Sequence, residues 1–370
     1  MRTLVRGAVA VTACALSCAL AGCGALGGTD SGESAPHKGD DVTIGLLLPE
    51  RDAARYEKYD RPDIEKQVRK LTKGKGTVLY ANAGQDAARQ RHQFEAMIAK
   101  KADVVLVDAV DAKAIAPAVR KAKDAGVRVL AYDRLAEGPV DGYVTFDSEL
   151  VGEVQGRALR EALGPNAKSS KVVMLNGART DPNAALFKEG ALAELGDHVD
   201  IVKSYDVEDW KPENARARMK SAINSIGADR IAGVYAANDA MAGAAIAALK
   251  EAGRTQLPPV TGQDAELPAV RRIVAGEQYM SVYKPYREEA AGAAQMAVLL
   301  AQGRMIEFDG MAQDRSANAS EKKIPTLLVQ VRPLTRKTIA STVIEDGLYK
   351  TDEICVPAYL TACYSIGLKH

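Results

Sequence analysis

Val127-Arg128-Val129-Leu130-Ala131-Tyr132-Asp133-Arg134 is an apolar run that stops abruptly in a carboxylate and a guanidinium. Such a run reads as a buried strand that delivers charge to its carboxyl edge. In open parallel sheets, ligands bind in the crevice beyond those edges, so Asp133 and Arg134 stand where a ligand would be met. A local ion pair closing a loop is the other reading of the same two residues. The stretch alone leaves both open.

The flanking sequence repeats the pattern. Toward the N-terminus, strands are predicted at 42–48, 77–80 and 103–107, alternating with helices at 60–71, 87–100 and 112–125, the last stopped by Gly126. Toward the C-terminus, a short strand at 143–146 leads through Asp147 and Ser148, good N-cap residues, into a helix at 149–163. Gly164 and Pro165 end that helix and a second series begins. Its predicted strands are 171–175, 200–205, 231–235 and 260–262, and its helices 183–195, 213–226, 239–251 and 267–275. Strand followed by helix, repeated, implies a parallel sheet with helices on both faces. Two such series suggest two similar lobes. A strand at 279–283, a helix at 286–302 and a strand at 326–331 remain before a short polar tail. These are too few elements for a third core, so they should complete the existing sheets, which requires the chain to cross between lobes more than once.

A length of 370 residues suits two domains. The chain is 47% apolar, and its 49 basic residues against 48 acidic ones give no reason to expect a nucleic-acid partner. Arg2 and Arg6, the small and apolar stretch 8–21, and Leu20-Ala21-Gly22-Cys23 read as a secretory signal over 1–22, too short to span a membrane. Leu-Ala-Gly-Cys resembles the lipobox of bacterial lipoproteins, in which the cysteine is lipidated, so Cys23 is the expected anchor. The Gly-, Ser- and Asp-rich 23–41 is then a flexible tether. With Cys14 and Cys18 in the signal and Cys23 acylated, Cys355 and Cys363 remain and in an oxidising compartment should pair. A metal site would need more ligands than the tail offers, and no cofactor is expected.

The residues just past the strands form the informative regularity. Asp133 and Arg134 come after one, Asn176 and then Asp181 and Asn183 after another, Trp210 after a third, Asn238 and Asp239 after a fourth, Gln263 and Asp264 after a fifth, and Lys284 after a sixth. Carboxylates accept from hydroxyl pairs, Arg, Lys and Asn donate, and an aromatic face covers the C–H side of a pyranose ring, so the mixture suits a neutral polyol. Each residue also has a plainer reading. Asn238 and Asp239 could cap the next helix, Trp210 could be core, Asp264 could close a turn, Lys284 could be a surface lysine, and Arg55 and Tyr56 could be helix surface. Asp133 and Asp264 supply one carboxylate per lobe, which a ligand gripped from both sides would need. The same pair permits acid and base work. No Gly-x-Ser-x-Gly elbow, His-rich cluster or phosphate loop accompanies it, and the chain reads as no enzyme.

At these residues the sequence resembles the type I periplasmic sugar-binding proteins that feed ABC transporters, and within them the D-xylose-binding proteins. The matching segments are Ala131-Tyr132-Asp133-Arg134, Thr145-Phe146-Asp147 with Val151-Gly152-Glu153, Trp210-Lys211-Pro212-Glu213-Asn214-Ala215, Asn238-Asp239-Ala240, Gly262-Gln263-Asp264-Ala265, Val282-Tyr283-Lys284-Pro285 and Thr342-Val343-Ile344-Glu345-Asp346-Gly347. The resemblance implies an α/β chain of two Rossmann-like lobes joined by three crossing segments near Phe146, Tyr283 and Val329, with the ligand in the interlobe cleft. It divides the mature chain into an N-terminal lobe of 42–146 plus 284–328 and a C-terminal lobe of 147–283 plus 329–370. Implied sugar contacts are Arg55, Asp133, Arg134, Asn183, Trp210, Asn238, Asp264 and Lys284. Tyr56 occupies the place where these proteins usually have a tryptophan to stack on the sugar. The tail with Cys355 and Cys363 departs from the family pattern and is expected to pin itself to its lobe.

The expectation is a lipid-anchored, monomeric extracytoplasmic receptor for a monosaccharide, most specifically xylose, that presents its closed form to an ABC permease. Another pentose or hexose, or a partner in chemotaxis or signalling, stands beside it. The effector core of a sugar-responsive repressor shares the fold but would need a DNA-reading helix pair before Val42, where an export signal and tether stand instead.

Overall fold

The computed structural model describes residues 38–51, 53 and 55–368. The signal, Cys23 and the tether up to residue 37 lie outside the described residues. The chain runs through β1 (Thr43–Leu48), β2 (Thr77–Asn82), β3 (Val104–Val107), β4 (Arg128–Tyr132) and β5 (Gly142–Phe146). It then passes to β6 (Lys171–Asn176), β7 (Asp200–Asp206), β8 (Gly233–Ala236) and β9 (Ser281–Tyr283), returns for β10 (Asp314–Ser316) and β11 (Ile324–Val329), and crosses again to β12 (Arg332–Leu334).

The first sheet has the order β10-β11-β5-β4-β3-β1-β2, parallel except for β10 against β11. The second orders β7-β6-β8 in parallel and extends through single bridges, Val234 to Val260 and Gln263 to Val282, to β9 and its antiparallel partner β12. The chain therefore changes sheet after Phe146, after Tyr283 and after Val329.

Helices α1 (Arg61–Leu71), α2 (Ala87–Ala99) and α3 (Ala116–Asp124) belong to the first series, and α4 (Ser148–Leu163), α5 (Pro182–Leu195), α6 (Pro212–Ile226), α7 (Asp239–Glu251) and α8 (Leu267–Ala275) to the second. They are followed by α9 (Tyr286–Gln302), α10 (Met305–Met311), α11 (Thr351–Ile354) and α12 (Leu360–Ser365). The first sheet is buried on both faces, as an all-helix cover requires. Leu46, Leu48, Leu106, Leu130 and Tyr132 meet α1 and α9 on one face, and Leu47, Val105, Val107 and Val129 meet α2 and α3 on the other. Period-two alternation along each strand divides the two cores.

Several boundaries differ from the sequence reading, for local reasons. The 112–125 helix begins only at Ala116, because the Asp111 carboxylate accepts from the backbone N–H of Lys113 and Ala114 at 2.9 Å and holds a turn there. The expected strand at 260–262 is reduced to the single bridges on either side of Gly262. The strand expected at 326–331 ends at Val329, where the chain leaves the first sheet. The tether expected to reach 41 is already tied down at Lys38, whose ammonium meets Asp103 at 2.7 Å, and at Asp40, which accepts from Lys73 at 2.9 Å.

The tail is not a polar end. Ile339, Val343, Leu348, Tyr349 and Ile354 are buried with Phe146, Tyr283 and Val329, so the tail packs on all three crossings. Cys355 and Cys363, both buried in this cluster, are disulfide-bonded, 8 residues apart in sequence. Closing so short a loop restricts the unfolded chain by about 2–3 kcal/mol. Replacing both cysteines with alanine is expected to lower stability by roughly that amount. Thermal unfolding with and without reductant measures it, and identical midpoints would mean that the tail does not limit unfolding.

Candidate functional site

The carboxyl edges of both sheets face one cavity of about 170 Å³, small beside the ~300–1,000 Å³ of sites for drug-sized ligands. Arg55, Tyr56, Asp133, Arg134, Asn183, Trp210, Asn238, Asp264 and Lys284 all line it. They come from the loop after β1, the end of β4, the start of α5, the turn before α6, the start of α7, the turn after Gln263, and the crossing between β9 and α9.

Asp133 and Arg134 are adjacent but do not pair with each other. Asp133 accepts from Arg55, and its carboxylate and carbonyl oxygens both accept from the Asn183 amide at 2.9 Å, across the cleft. Arg134 reaches the other way, with Nε 2.9 Å from Asp181 of the second lobe and 3.5 Å from Asp108 of its own. Asp181 in turn accepts from the Trp210 indole N–H at 3.1 Å. The ion-pair reading of the strand end is thereby replaced by two separate bridges between lobes.

Arg55 is buried at the N-terminal end of a wide helical turn, Tyr56–Asp60, and its guanidinium is divided among three carboxylates. Nε donates to Asp60 at 2.7 Å, Nη2 to Glu289 at 2.6 Å, and Nη1 to Asp133, while the Tyr286 ring lies 4.5 Å away. Burial opposes the charge on Arg55, but the three acids reverse that and hold it above its ordinary range. Burial pushes the Asp60 and Glu289 carboxyls up, with Arg55 pulling against it. For Asp133, burial is outweighed by Arg55, Lys284 and Arg134, and its carboxyl is held below the usual range. Of the three acids around Arg55, the one that lines the cavity is the one whose carboxyl is held low.

On the second lobe, Asn238 does cap α7, accepting from the Met241 N–H at 2.9 Å. Asp239 does not cap. It is fully buried and accepts from Ser281 Oγ, Gln278 Nε2 and the Glu266 N–H. Burial pushes its carboxyl up to about 7 despite Arg272, and burial and Asp239 push that of Glu266 to about 8. Lys284 is buried, 3.1 Å from Asp264 and 5.4 Å from the rings of Phe146 and Phe187. Burial disfavours its charge, yet Asp264 and Asp133 hold it above its ordinary value. Trp210 is half-buried, edge-on to Phe187 at 6.3 Å. A Cβ at Gly177 would collide with the Trp210 ring, so only glycine there lets the indole sit against the end of β6.

Among the described residues, eight besides the glycines have positive φ, and Gln85, Asp133, Asp209, Trp210 and Asp264 of these line the cavity. Each such conformation costs on the order of 1–3 kcal/mol, and this kind of strain gathers where side chains must be aimed at a ligand. Among the lining residues that sequence reasoning passed over are Glu50, Gln85, Phe187, Asp209 and Glu266. Phe187 reads as helix core because it lies mid-α5. What brings it to the cavity is the close α4–α5 packing, where Gly152 and Gly190 leave no room for a Cβ against the facing backbone. Glu289 carried no signal, because its partner Arg55 lies 234 residues away, and Asp60, only 5 residues from Arg55, reads as the start of the following helix.

Chemically the cavity offers acceptors from both lobes, donors at Asn238 and Lys284, and aromatic walls at Tyr56, Phe187 and Trp210. Among the described residues, no Ser, Thr, Cys or His lines it. Comparison with known proteins supplies the context. A family model described as a periplasmic binding protein domain matches residues 44–305. The D-xylose-binding periplasmic protein of Escherichia coli K12 is 34% identical over 320 residues, 85% of this chain and 93% of its own. The multiple sugar-binding periplasmic receptor of Rhizobium radiobacter is 30% identical over 85% of this chain and 93% of its own. Among solved structures, an ABC transporter solute-binding protein from Clostridium phytofermentans with bound β-D-glucose has a TM-score of 0.76 at 25% identity, covering 84% of this chain and 99% of that one.

Proposed function

The chain belongs to the periplasmic binding protein family, extracytoplasmic sugar receptors of ABC transport with no catalytic step. From that premise we propose that its own ligand is a monosaccharide held in the interlobe cavity, D-xylose before other pentoses and hexoses. The observation that carries the reading is the convergence of nine polar and aromatic residues from both lobes on one small cavity. Xylose is put first because of the xylose-binding relatives. The multiple sugar-binding relative and the glucose-bound structure keep hexoses in the comparison.

Closure is the proposed mechanism. Sugar hydroxyls bonded to Asp133 on one lobe and Asp264 and Asn238 on the other favour the closed state by their differential affinity, and an ABC permease reads that state. The three crossings after Phe146, Tyr283 and Val329 serve as the hinge, dividing the chain into lobes of 42–146 plus 284–328 and 147–283 plus 329–370. Arg55 acts behind the site by fixing Asp133, and Tyr56 and Trp210 flank the ring. The mature chain is proposed to begin at an acylated Cys23 and to act as a monomer, with the Cys355–Cys363 bond persisting in the oxidising space outside the membrane.

Trp210 is the only tryptophan, so emission excited at its absorption edge reports the cavity. Titration with xylose, ribose, arabinose, glucose and galactose is expected to shift that emission saturably for the cognate sugar, with calorimetry giving the same midpoint. Calorimetric binding without an emission change would move the sugar elsewhere. No binding of any of the five would overturn the monosaccharide reading.

A further inference from the structure

Glu266 is a carboxylate of the second lobe that the first lobe covers. It stands at the N-cap of α8, yet its side chain makes no cap bond there, and Pro268, two residues on, has no N–H to give. The Glu266 backbone N–H donates to Asp239 at 2.9 Å, while among the described residues none donates to its carboxylate.

The walls around this carboxylate come from both lobes. With Glu50 of the first lobe it lines the sugar cavity. Beside that cavity lies a recess of about 20 Å³, room for about one water, that sets Glu266 against Ala53, Arg55 and Tyr59 of the first lobe. Tyr286 and Tyr349 complete the recess. A carboxylate so placed is short of solvent only while the lobes are together.

Acids dominate its surroundings. Burial raises the Glu266 carboxyl to about 8, and Asp239, Asp264 and, from the first lobe, Glu50 push the same way against Arg272. The nearby cations are engaged elsewhere. Arg272 donates to Gln278 at 3.0 Å and to the Asp239 carbonyl at 2.8 Å, and Lys284 stands 3.1 Å from Asp264. Arg55 is shared among Asp60, Asp133 and Glu289. Burial holds the Tyr286 and Tyr349 hydroxyls above their ordinary range, so neither ionises near neutrality. Asp239 is raised as well, to about 7, but its partners Ser281, Gln278 and Glu266 all belong to the second lobe, so parting the lobes leaves its bonds intact.

We infer that Glu266 couples closure of the cleft to uptake of a proton, so that the sugar is gripped more tightly in mildly acidic surroundings than in alkaline ones. The inference rests on the closure mechanism proposed above. Opening removes Glu50 and the first-lobe cover but leaves Asp239 and Asp264 in place, so the carboxyl falls toward its ordinary range of about 4 without reaching it. The closed state then binds more protons than the open one. Closure is therefore favoured as pH falls through the closed-state value and opposed as pH rises past it.

Calorimetry with the tightest of the five sugars, xylose first, compares the chain with Glu266→Gln in buffers of different ionisation enthalpy from about pH 6 to about pH 9. Near neutrality the wild type should take up part of a proton on binding, and the variant less. Over the whole range the wild-type dissociation constant should rise about tenfold more than that of the variant, the change a carboxyl gives when its two pKa values differ by about one. Slopes contributed by the other site carboxyls are common to both proteins and cancel. Glu50→Gln, which removes the first-lobe charge facing Glu266, should flatten the profile in the same direction by less. Equal proton uptake with parallel profiles would overturn the inference. If none of the five sugars binds at any pH, the monosaccharide reading fails and the coupling is read without ligand, by small-angle scattering. The wild type should then expand as pH rises over the same range and Glu266→Gln should not; equal radii at every pH would sink the coupling as well.

Discussion

Arg55→Met is expected to destabilise the fold by about 3–5 kcal/mol at neutral pH, because it leaves Asp60, Asp133 and Glu289 buried around a lost counter-charge. The magnitude comes from asymmetry. A buried ion pair contributes little against a hydrophobic substitute, but removing one partner strands the others in a medium that cannot solvate them. The variant should also show an unusual pH dependence. The Asp60 and Glu289 carboxyls are already raised by burial in the wild type, and without Arg55 they rise further. A carboxyl whose folded pKa exceeds its unfolded value makes the native state bind more protons, so stability falls as pH rises from the ordinary carboxylate range of about 4 through the raised folded value. Arg55→Met should therefore regain stability on mild acidification. Asp133 behaves oppositely in the wild type. Its carboxyl is held low, and its contribution is lost as pH falls through the folded value. Urea unfolding of wild type and variant from neutral pH down to about 5 measures this; a destabilisation of less than about 1 kcal/mol at neutral pH would show that the three acids do not depend on Arg55.

Asp264→Asn is expected to weaken sugar binding by about 2 kcal/mol, on the order of thirtyfold. Asparagine tolerates the positive φ of 94° at this position, which alanine would not, so the substitution removes the charge with little backbone penalty. It also releases Lys284, 3.1 Å away, from its partner. Some stability should be lost as well, because buried Lys284 keeps only Asp133 of the two carboxylates that hold its charge, but the turn itself survives, since the backbone carbonyl at 264 still accepts from the Tyr286 hydroxyl. Calorimetry against the cognate sugar decides the matter. An unchanged dissociation constant would reduce Asp264 to a turn residue.

The alternation of strands and helices, the crossing of the chain between sheets, and the collection of polar residues at strand ends were legible because each rests on a short-range rule. Apolar runs bounded by glycine and capping residues mark strands and helices within a few positions. A parallel sheet then sends every strand end to one side, which is why residues as distant as Arg55 and Lys284 could be expected in one place. The tail was misread as polar because its apolar positions fall in short, irregular turns without a helix or strand period. Its burial depends wholly on the three crossings that it covers.

From the sequence alone, then, came the fold class, the nine residues that meet at the cavity, and the family resemblance, all of which rest on local pattern and motif. Only the tertiary structure decided how those residues are paired. It gave Asp133 to Arg55 and Asn183 instead of its neighbour Arg134, sent Arg134 across the cleft to Asp181, and placed Glu289 and Asp60 behind Arg55. The reason is range. Charges interact through space at about 3–4 Å, and which charges come that close depends on how the sheets and helices pack, not on their separation along the chain.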